Sequence, residues 1–124
     1  MDNKNKDQKP EKNLVDLAKI LGLDKEFLDY LASDFFKESA SKKFEITRIL
    51  WEQYLKLKQL LTEKFYQNLL DEAMLGKRKL ERTLYAQAQA KTEEVIEKLH
   101  KGEFYDDLKI QELRQKIASM TTIN

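Results

Sequence analysis

Few residues in this chain could carry chemistry, and one spacing typical of a reactive site is Glu97-x-x-His100. This spacing places two ligands on one helix face, as in the di-iron carboxylate bundles. Such a site needs a second histidine, and His100 is the only histidine in the 124 residues. We therefore expect no metal ion here. His100 lies two residues before Gly102, in the last turn of the predicted helix, where a protonated imidazole interacts favourably with the negative end of the helix dipole.

Other catalytic machinery has even less support. The chain has no cysteine, one histidine and no glycine-rich phosphate loop, so nucleophilic triads and P-loop chemistry lack their components. Its carboxylates alternate with lysines at surface spacing, rather than lying among apolar residues that would shift a pKa. We expect a protein that is not an enzyme and that has no catalytic residues and no cofactor.

The densest group of basic residues comprises Lys77, Arg78, Lys79 and Arg82. Positive side chains of this kind contact phosphates without reading base sequence. The net charge of +1 excludes a strongly basic field over the whole surface, but it allows a local patch. No aromatic residue is interleaved to stack on bases. Nucleic-acid binding is therefore an alternative hypothesis, against a solvated stretch of helix or a charged hairpin tip.

The segment 14–31 has the spacing of a DNA-binding helix-turn-helix. Gly22 follows Ala18 by four residues, and Leu28 and Leu31 lie on the next helix. However, the segment 24–38 that contains this second helix carries five acids and two bases. Because carboxylates oppose a phosphate backbone, the pattern favours a packed helical corner over a DNA-reading helix.

The element that must position these groups is the stretch 42–101, which has no proline and one glycine. Its apolar residues recur every three or four positions, which places them on one side of a helix. The stripe comprises Ile46, Leu50, Tyr54, Leu57, Leu61, Phe65, Leu69 and Ala73, and it resumes with Leu80, Leu84, Ala88, Val95 and Leu99. The pattern predicts a long amphipathic helix, with Ser39 or Ser41 as its N-cap.

Gly76 divides this stripe and leaves its geometry open between a continuous helix, a kinked helix and a tight hairpin. Ala73, Gly76 and Leu80 stay in phase across the glycine, and residues 77–79 offer no N-cap for a new helix. These observations favour a continuous or kinked helix. Glycine is also the usual residue just past a helix end, which keeps the hairpin as the alternative.

Composition and punctuation together predict an all-α fold of about four helices. The chain is 36% charged and 41% hydrophobic, with three glycines and one proline. Two short helices meet at the Gly22 corner, the second running from about Lys25 to Glu38. The long helix ends near Gly102, and a short last helix follows an N-cap at Asp106. We expect a disordered polar tail over 1–13, one domain over 14–120 and a frayed end over 121–124.

The predicted function is a non-catalytic interaction or assembly module, built as a helical bundle or coiled coil. The reason is that three short helices should not cover the whole stripe, so some apolar area should bind a second chain. The expected interaction residues are Leu50, Trp51, Tyr54, Leu57, Leu61 and Phe65. We expect a homo-oligomer or a protein partner. No run of residues is long and apolar enough to span a membrane, and we expect a cytoplasmic protein.

Overall fold

The computed structural model describes residues 12–103 together with 111–112 and 114–115, and these residues form helices and loops without a β-strand. The α-helices are Leu14–Leu21 (α1), Lys25–Ala32 (α2), Ala40–Met74 (α3) and Leu84–His100 (α4). The predicted all-α fold, with two short helices before a long central one, is confirmed.

Three predictions for the chain ends fall mainly outside the described residues. These are the polar tail over 1–13, of which residues 12 and 13 are described, the N-cap at Asp106 and the frayed end over 121–124. Of the predicted last helix, residues 111–112 and 114–115 are described and are helical.

The corner between α1 and α2 forms as its sequence predicts. The Asp16 N–H donates to the Asn13 side chain at 2.9 Å, and the Asn13 N–H donates to the Asp16 carboxylate at 3.0 Å, so α1 begins with a capping box. Gly22, with φ of 79°, ends the helix. Asp24 then caps α2 by accepting from the Phe27 N–H at 2.9 Å.

The second helix is shorter than predicted, because α2 ends at Ala32 rather than near Glu38. Ser33 leaves the helical conformation with φ of −128°, and its hydroxyl donates to the Asp29 carbonyl at 2.8 Å. A 3₁₀ turn, Asp34–Lys37, follows. At this end the Ser33 N–H is shared between the Asp29 carbonyl at 3.1 Å and the Tyr30 carbonyl at 3.2 Å, a three-centre bond that is common at helix termini, and Phe35 beyond it is buried.

The long helix α3 begins at a serine cap, as predicted. The Ser39 hydroxyl accepts from the Lys42 N–H at 3.2 Å. From there α3 runs for 35 residues to Met74, a length of about 50 Å at the α-helical rise.

The preference for a continuous or kinked helix through Gly76 is wrong, and the hairpin alternative describes the structure. Gly76 has φ of 77°. The Lys77 N–H donates to the Glu72 carbonyl at 2.9 Å, and the Gly76 N–H donates to the Ala73 carbonyl at 3.1 Å. This is a Schellman C-cap. The chain then reverses through residues 75–83 and enters α4.

The two long helices pack as an antiparallel pair. Near the loop, the rings of Tyr66 and Tyr85 meet edge to face with centroids 5.2 Å apart. Further from the loop, the hydroxyl oxygens of Thr62 and Thr92 lie 2.8 Å apart in the core. The second half of the predicted stripe therefore folds back onto the first half.

The core is shared by α1, α3 and α4, with α2 adding Leu31 at its edge. α1 packs against both α3 and α4. The largest fully buried side chains are Leu17, Ile20, Leu21, Ile46, Leu50, Leu57, Leu61, Leu84, Ile96 and Leu99.

Candidate interaction surfaces

The residues predicted as an interaction surface lie mostly in the core. They are Leu50, Trp51, Tyr54, Leu57, Leu61 and Phe65. All except Trp51 are buried in a cluster with residues of α1 and α4, and Trp51 is half-buried, with its ring edge to face against Tyr54 at 5.7 Å. The argument that short helices could not cover the stripe fails, because α4 is the folded-back half of the predicted long helix.

The structure instead exposes a different set of large apolar side chains. Among the described residues these are Phe36, Phe44, Leu55, Met74, Leu75, Leu80 and Tyr85. The exposure of Leu55 is predictable from the sequence, because Leu55 lies about 100° around the helix from Tyr54 and therefore outside the apolar stripe. Leu80 was assigned to the stripe, and the fold places it on the surface.

One exposed group lies on the outer side of α3, and we call Phe44, Trp51 and Leu55 the outer α3 surface. Trp51 follows Phe44 by seven residues and Leu55 follows it by eleven. At 100° per residue, both side chains therefore lie within about 20° of the direction of Phe44 around the helix. Phe44 is 70% exposed and Leu55 57% exposed. Arg48 and Glu52 form an exposed ion pair at 3.0 Å on the same helix. The outer α3 surface is thus apolar with a charged border.

A second exposed group is the hairpin tip, which we define as residues 74–82. Every residue of the tip is exposed, and Met74 and Leu80 are 84% and 76% exposed. The tip also contains the four residues predicted for nucleic-acid binding, Lys77, Arg78, Lys79 and Arg82. With Glu81, the tip has four bases and one acid, a net charge of +3. These four residues therefore lie in a charged hairpin tip, one of the two alternatives to nucleic-acid binding that the sequence left open.

Arg78 differs from the other three bases, because it holds the loop to both helices. Its Nε donates to the Glu72 carboxylate at 2.9 Å, and its Nη1 donates to the Gln87 side-chain oxygen at 3.1 Å. The four basic residues therefore lie on one loop, but the Arg78 guanidinium is bound within the protein and fixes the loop to the helices. Lys77, Lys79 and Arg82 are left to set the charge of the surface.

The third feature, which we call the apolar groove, is a cavity of about 250 Å³ where α1 meets the end of α2 and the 3₁₀ turn. It is lined by Asn13, Leu14, Val15, Leu31, Phe35 and Phe36. Phe35 is buried, whereas Phe36 packs edge to face against it with 69% of its surface exposed. Five of the six lining residues are apolar, so the groove suits an aliphatic side chain.

A hydrogen bond next to the groove fixes α2 against the start of α3. The Tyr30 hydroxyl donates to the Glu38 carboxylate at 2.8 Å. Burial and the neighbouring Glu38 raise the pKa of Tyr30 to about 12. The phenol therefore stays a hydrogen-bond donor at neutral pH, and the segment that carries Phe35 and Phe36 is held in place.

The corner with helix-turn-helix spacing is a packed corner. Ala18 and Leu31 are buried, as that spacing requires. On α2, however, Asp24, Glu26 and Asp29 are exposed. A helix with this surface is unsuited to a phosphate backbone.

His100 is engaged with α1 rather than with Glu97. Its Nε2 lies 2.8 Å from the Asp16 carboxylate, and Glu97 lies 3.8 Å from Lys101. Burial alone would raise the pKa of Asp16, but hydrogen bonds from His100 and from the Asn13 N–H lower it below its ordinary value. Among the described residues no cluster of His, Cys, Asp and Glu side chains is suited to hold a metal ion.

A larger cavity, of about 550 Å³, lies where the ends of α1 and α4 meet, with Arg114 on its wall. The Arg114 guanidinium donates to the carbonyls of Ile20 at 3.0 Å and Lys19 at 3.1 Å, and to the Gln111 side chain at 3.3 Å. Burial lowers the pKa of Arg114. Because all three of its nitrogens bind protein atoms, its role is to cap the end of α1 rather than to receive a ligand.

Comparison with known protein families, with curated proteins and with solved structures found no match to this chain. Within the described part of the chain, none of the helices combines the length and the apolar character needed to cross a membrane.

Proposed function

We propose that the protein is a non-catalytic helical module for protein–protein interaction or assembly, which self-associates or docks in a larger complex. The observation that supports this proposal is the exposure of large apolar side chains in a fold that buries a continuous core elsewhere. These side chains are grouped at the outer α3 surface, the hairpin tip and the apolar groove. Grouped apolar exposure of this kind is typical of binding surfaces.

The fold also suits a module that presents surfaces at fixed positions. α3 is a single helix of 35 residues that carries the hairpin tip at one end and follows directly after the apolar groove at the other. Its pairing with α4 is reinforced by the Lys58–Glu93 ion pair at 2.9 Å. The hydrogen bond to Glu93 raises the pKa of Lys58, although burial opposes it, so Lys58 stays charged at neutral pH.

Sedimentation equilibrium over about 1 µM to 1 mM tests the proposal, because this range covers weak and moderate affinities. We expect the average mass to rise above the monomer value of 14.7 kDa as the concentration increases. Trp51 is the only tryptophan and lies on the outer α3 surface, so its emission reports whether that surface becomes covered. A constant monomer mass with unchanged Trp51 emission would contradict self-association.

Nucleic-acid binding is the alternative function, and the exposure of Lys77, Lys79 and Arg82 on one loop favours it. Such binding should be weak, salt-dependent and insensitive to base sequence, because cations on a loop contact phosphates rather than base edges. A fluorescence titration of duplex and single-stranded oligonucleotides against salt tests it. Sequence-selective binding that survives replacement of all four tip bases by glutamine would place the site elsewhere.

A further inference from the structure

We infer that the partner is a second copy of this chain, and that the hairpin tip of one copy binds the apolar groove of the other. This inference rests on the proposed function and gives it a specific contact. The two surfaces complement each other in apolar character and in charge, and the fold prevents them from meeting within one molecule.

The apolar complementarity comes from the tip's exposed aliphatic side chains. Met74, Leu75 and Leu80 extend from the end of the hairpin and are 70% to 84% exposed. The groove offers about 250 Å³ lined almost entirely by apolar groups. It has room for a side chain of the size of leucine or methionine. Insertion of Leu80 would also cover the exposed ring of Phe36.

The charge complementarity comes from the segments that carry the two surfaces. The tip has a net charge of +3, whereas residues 24–38, which include Phe35 and Phe36 of the groove, carry five acids and two bases, a net charge of −3. Asp34 directly precedes the two phenylalanines, and its side chain is 63% exposed. Of the two bases in this segment, Lys25 is exposed next to the Asp24 cap and Lys37 lies 3.7 Å from Asp34. Lys42, just beyond the segment, lies 3.9 Å from Glu38.

Distance makes the contact intermolecular. The groove lies just before the first residue of α3 and the tip begins at its last residue, so the two surfaces are about 50 Å apart along a continuous helix. One chain therefore cannot bring its own tip to its own groove. A second copy offers both surfaces, and a contact between two different patches of identical chains is a heterologous interface.

The test uses two variants that each remove one surface, Leu80→Asp at the tip and Phe36→Asp at the groove. Both side chains are largely exposed, so both variants should fold, which circular dichroism checks. Each variant alone should lose self-association by at least about tenfold, because an apolar contact is replaced by a buried charge. Ala90→Asp is the matched control, since it places the same charge at an exposed apolar position of α4 outside all three surfaces, and it should leave the affinity unchanged within about twofold. Phe44→Asp tests the outer α3 surface as the competing interface.

Mixing the two variants gives the decisive measurement. The Leu80→Asp chain keeps an intact groove and the Phe36→Asp chain keeps an intact tip, so an equimolar mixture should form a two-chain complex that neither variant forms alone. Raising the salt concentration from about 0.05 M to 0.5 M should weaken this complex, because exposed charges are screened.

Three results would overturn the inference, and they differ in what they say of the proposed function. If wild type associates but only Phe44→Asp abolishes association, the outer α3 surface is the interface and the assembly function stands. If wild type stays monomeric throughout, self-association fails as well. If Leu80→Asp reduces binding to anionic vesicles or oligonucleotides while the mixture shows no recovery, the tip serves a lipid or a nucleic acid instead.

Discussion

Replacement of Gly76 by alanine is expected to destabilise the protein by about 1 kcal/mol, and the sign of this change distinguishes the hairpin from a continuous helix. Gly76 has φ of 77°, in the left-handed region, where an L-residue with a Cβ costs roughly 1 to 2 kcal/mol. A Cβ added at Gly76 would meet no atom within 4 Å, so no steric clash adds to this cost. The penalty is therefore one of backbone conformation.

The opposite result is expected if residue 76 lies inside a helix. Alanine would then remove the helix-interior penalty of glycine and stabilise the protein by roughly 0.5 to 1 kcal/mol. Gly76→Asn provides a matched control, because asparagine tolerates the left-handed region better than alanine. In the hairpin, the asparagine variant should lose less stability than the alanine variant. In a continuous helix this order is reversed.

Urea unfolding at a fixed protein concentration measures both variants without a contribution from mass action. With a denaturant dependence of about 1 to 3 kcal/mol per molar urea, the midpoint for Gly76→Ala should fall by roughly 0.3 to 1 M. A midpoint that rises above wild type would refute the C-cap at Gly76 and with it the position of the hairpin tip.

Three further predictions concern polar contacts between helices. Asp16→Asn should lower stability at pH 7 by about 1 to 2 kcal/mol. Because the folded protein lowers the Asp16 pKa, this stabilisation is present above the ordinary value of 3.8 and is lost as the pH falls below that value. Acid unfolding curves that coincide for wild type and Asp16→Asn would contradict this prediction. The double variant Thr62→Val with Thr92→Val should lose about 0.5 to 1 kcal/mol less free energy of unfolding than the sum of the single variants, since the two hydroxyls share one contact. Additive shifts of the urea midpoint would contradict this coupling. Arg114→Met should lower the stability measured by thermal unfolding by about 1 to 2 kcal/mol. Arg114→Lys should be similarly destabilised, because one ammonium cannot reproduce the paired guanidinium donors. Wild-type stability in the lysine variant would show that the paired geometry is unimportant.

Local signals in the sequence were sufficient for the helical class and for the first corner. The glycine at position 22 and the cap at Asp24 each depend on residues within four positions of one another, whereas the equally local capping pair of Asn13 and Asp16 was not predicted, since Asn13 was assigned to the polar tail. Apolar spacing then identified α3 and α4 as amphipathic segments. Interactions that close over so short a distance can be predicted without knowledge of the rest of the fold.

The hairpin was harder to predict, because its two signals lie far apart in the chain. Gly76 ends α3, but the loop continues to Thr83 before α4 begins, and the Thr83 side chain makes no capping hydrogen bond to the helix. The residues directly after the glycine therefore contain no N-cap for α4. Leu80, which continues the apolar pattern in phase across Gly76, is 76% exposed in the loop, and the residues of the second half that return to the core are Leu84, Ala88, Val95 and Leu99.

Five of the six predicted interaction residues lie in the core for the same reason. A stripe on one long helix needs another chain to cover it, whereas the same stripe folded into an antiparallel pair covers itself. Phe44 and Leu55 stay exposed because they lie outside that interface, and a strict three-and-four spacing rule passes over them. Identification of these surfaces required the positions of α1 and α4 as well as the pattern of α3.

The reversal that hides the stripe also creates the hairpin tip. In a continuous helix, Leu80 would lie on the long apolar face, Met74 would lie about 100° from it beside Ala73, and the basic residues between them would spread around more than one helical turn. In the hairpin, the same residues share one exposed loop, with apolar side chains before and after the cations. The Arg78 contacts with Glu72 and Gln87 fix that loop to the helix ends. A single left-handed residue thus changes a solvated basic stretch into a compact surface that is both apolar and positively charged. The apolar groove, two of whose lining residues belong to a segment with a net charge of −3, lies at the other end of α3, and this is the basis for assigning the second copy as the partner.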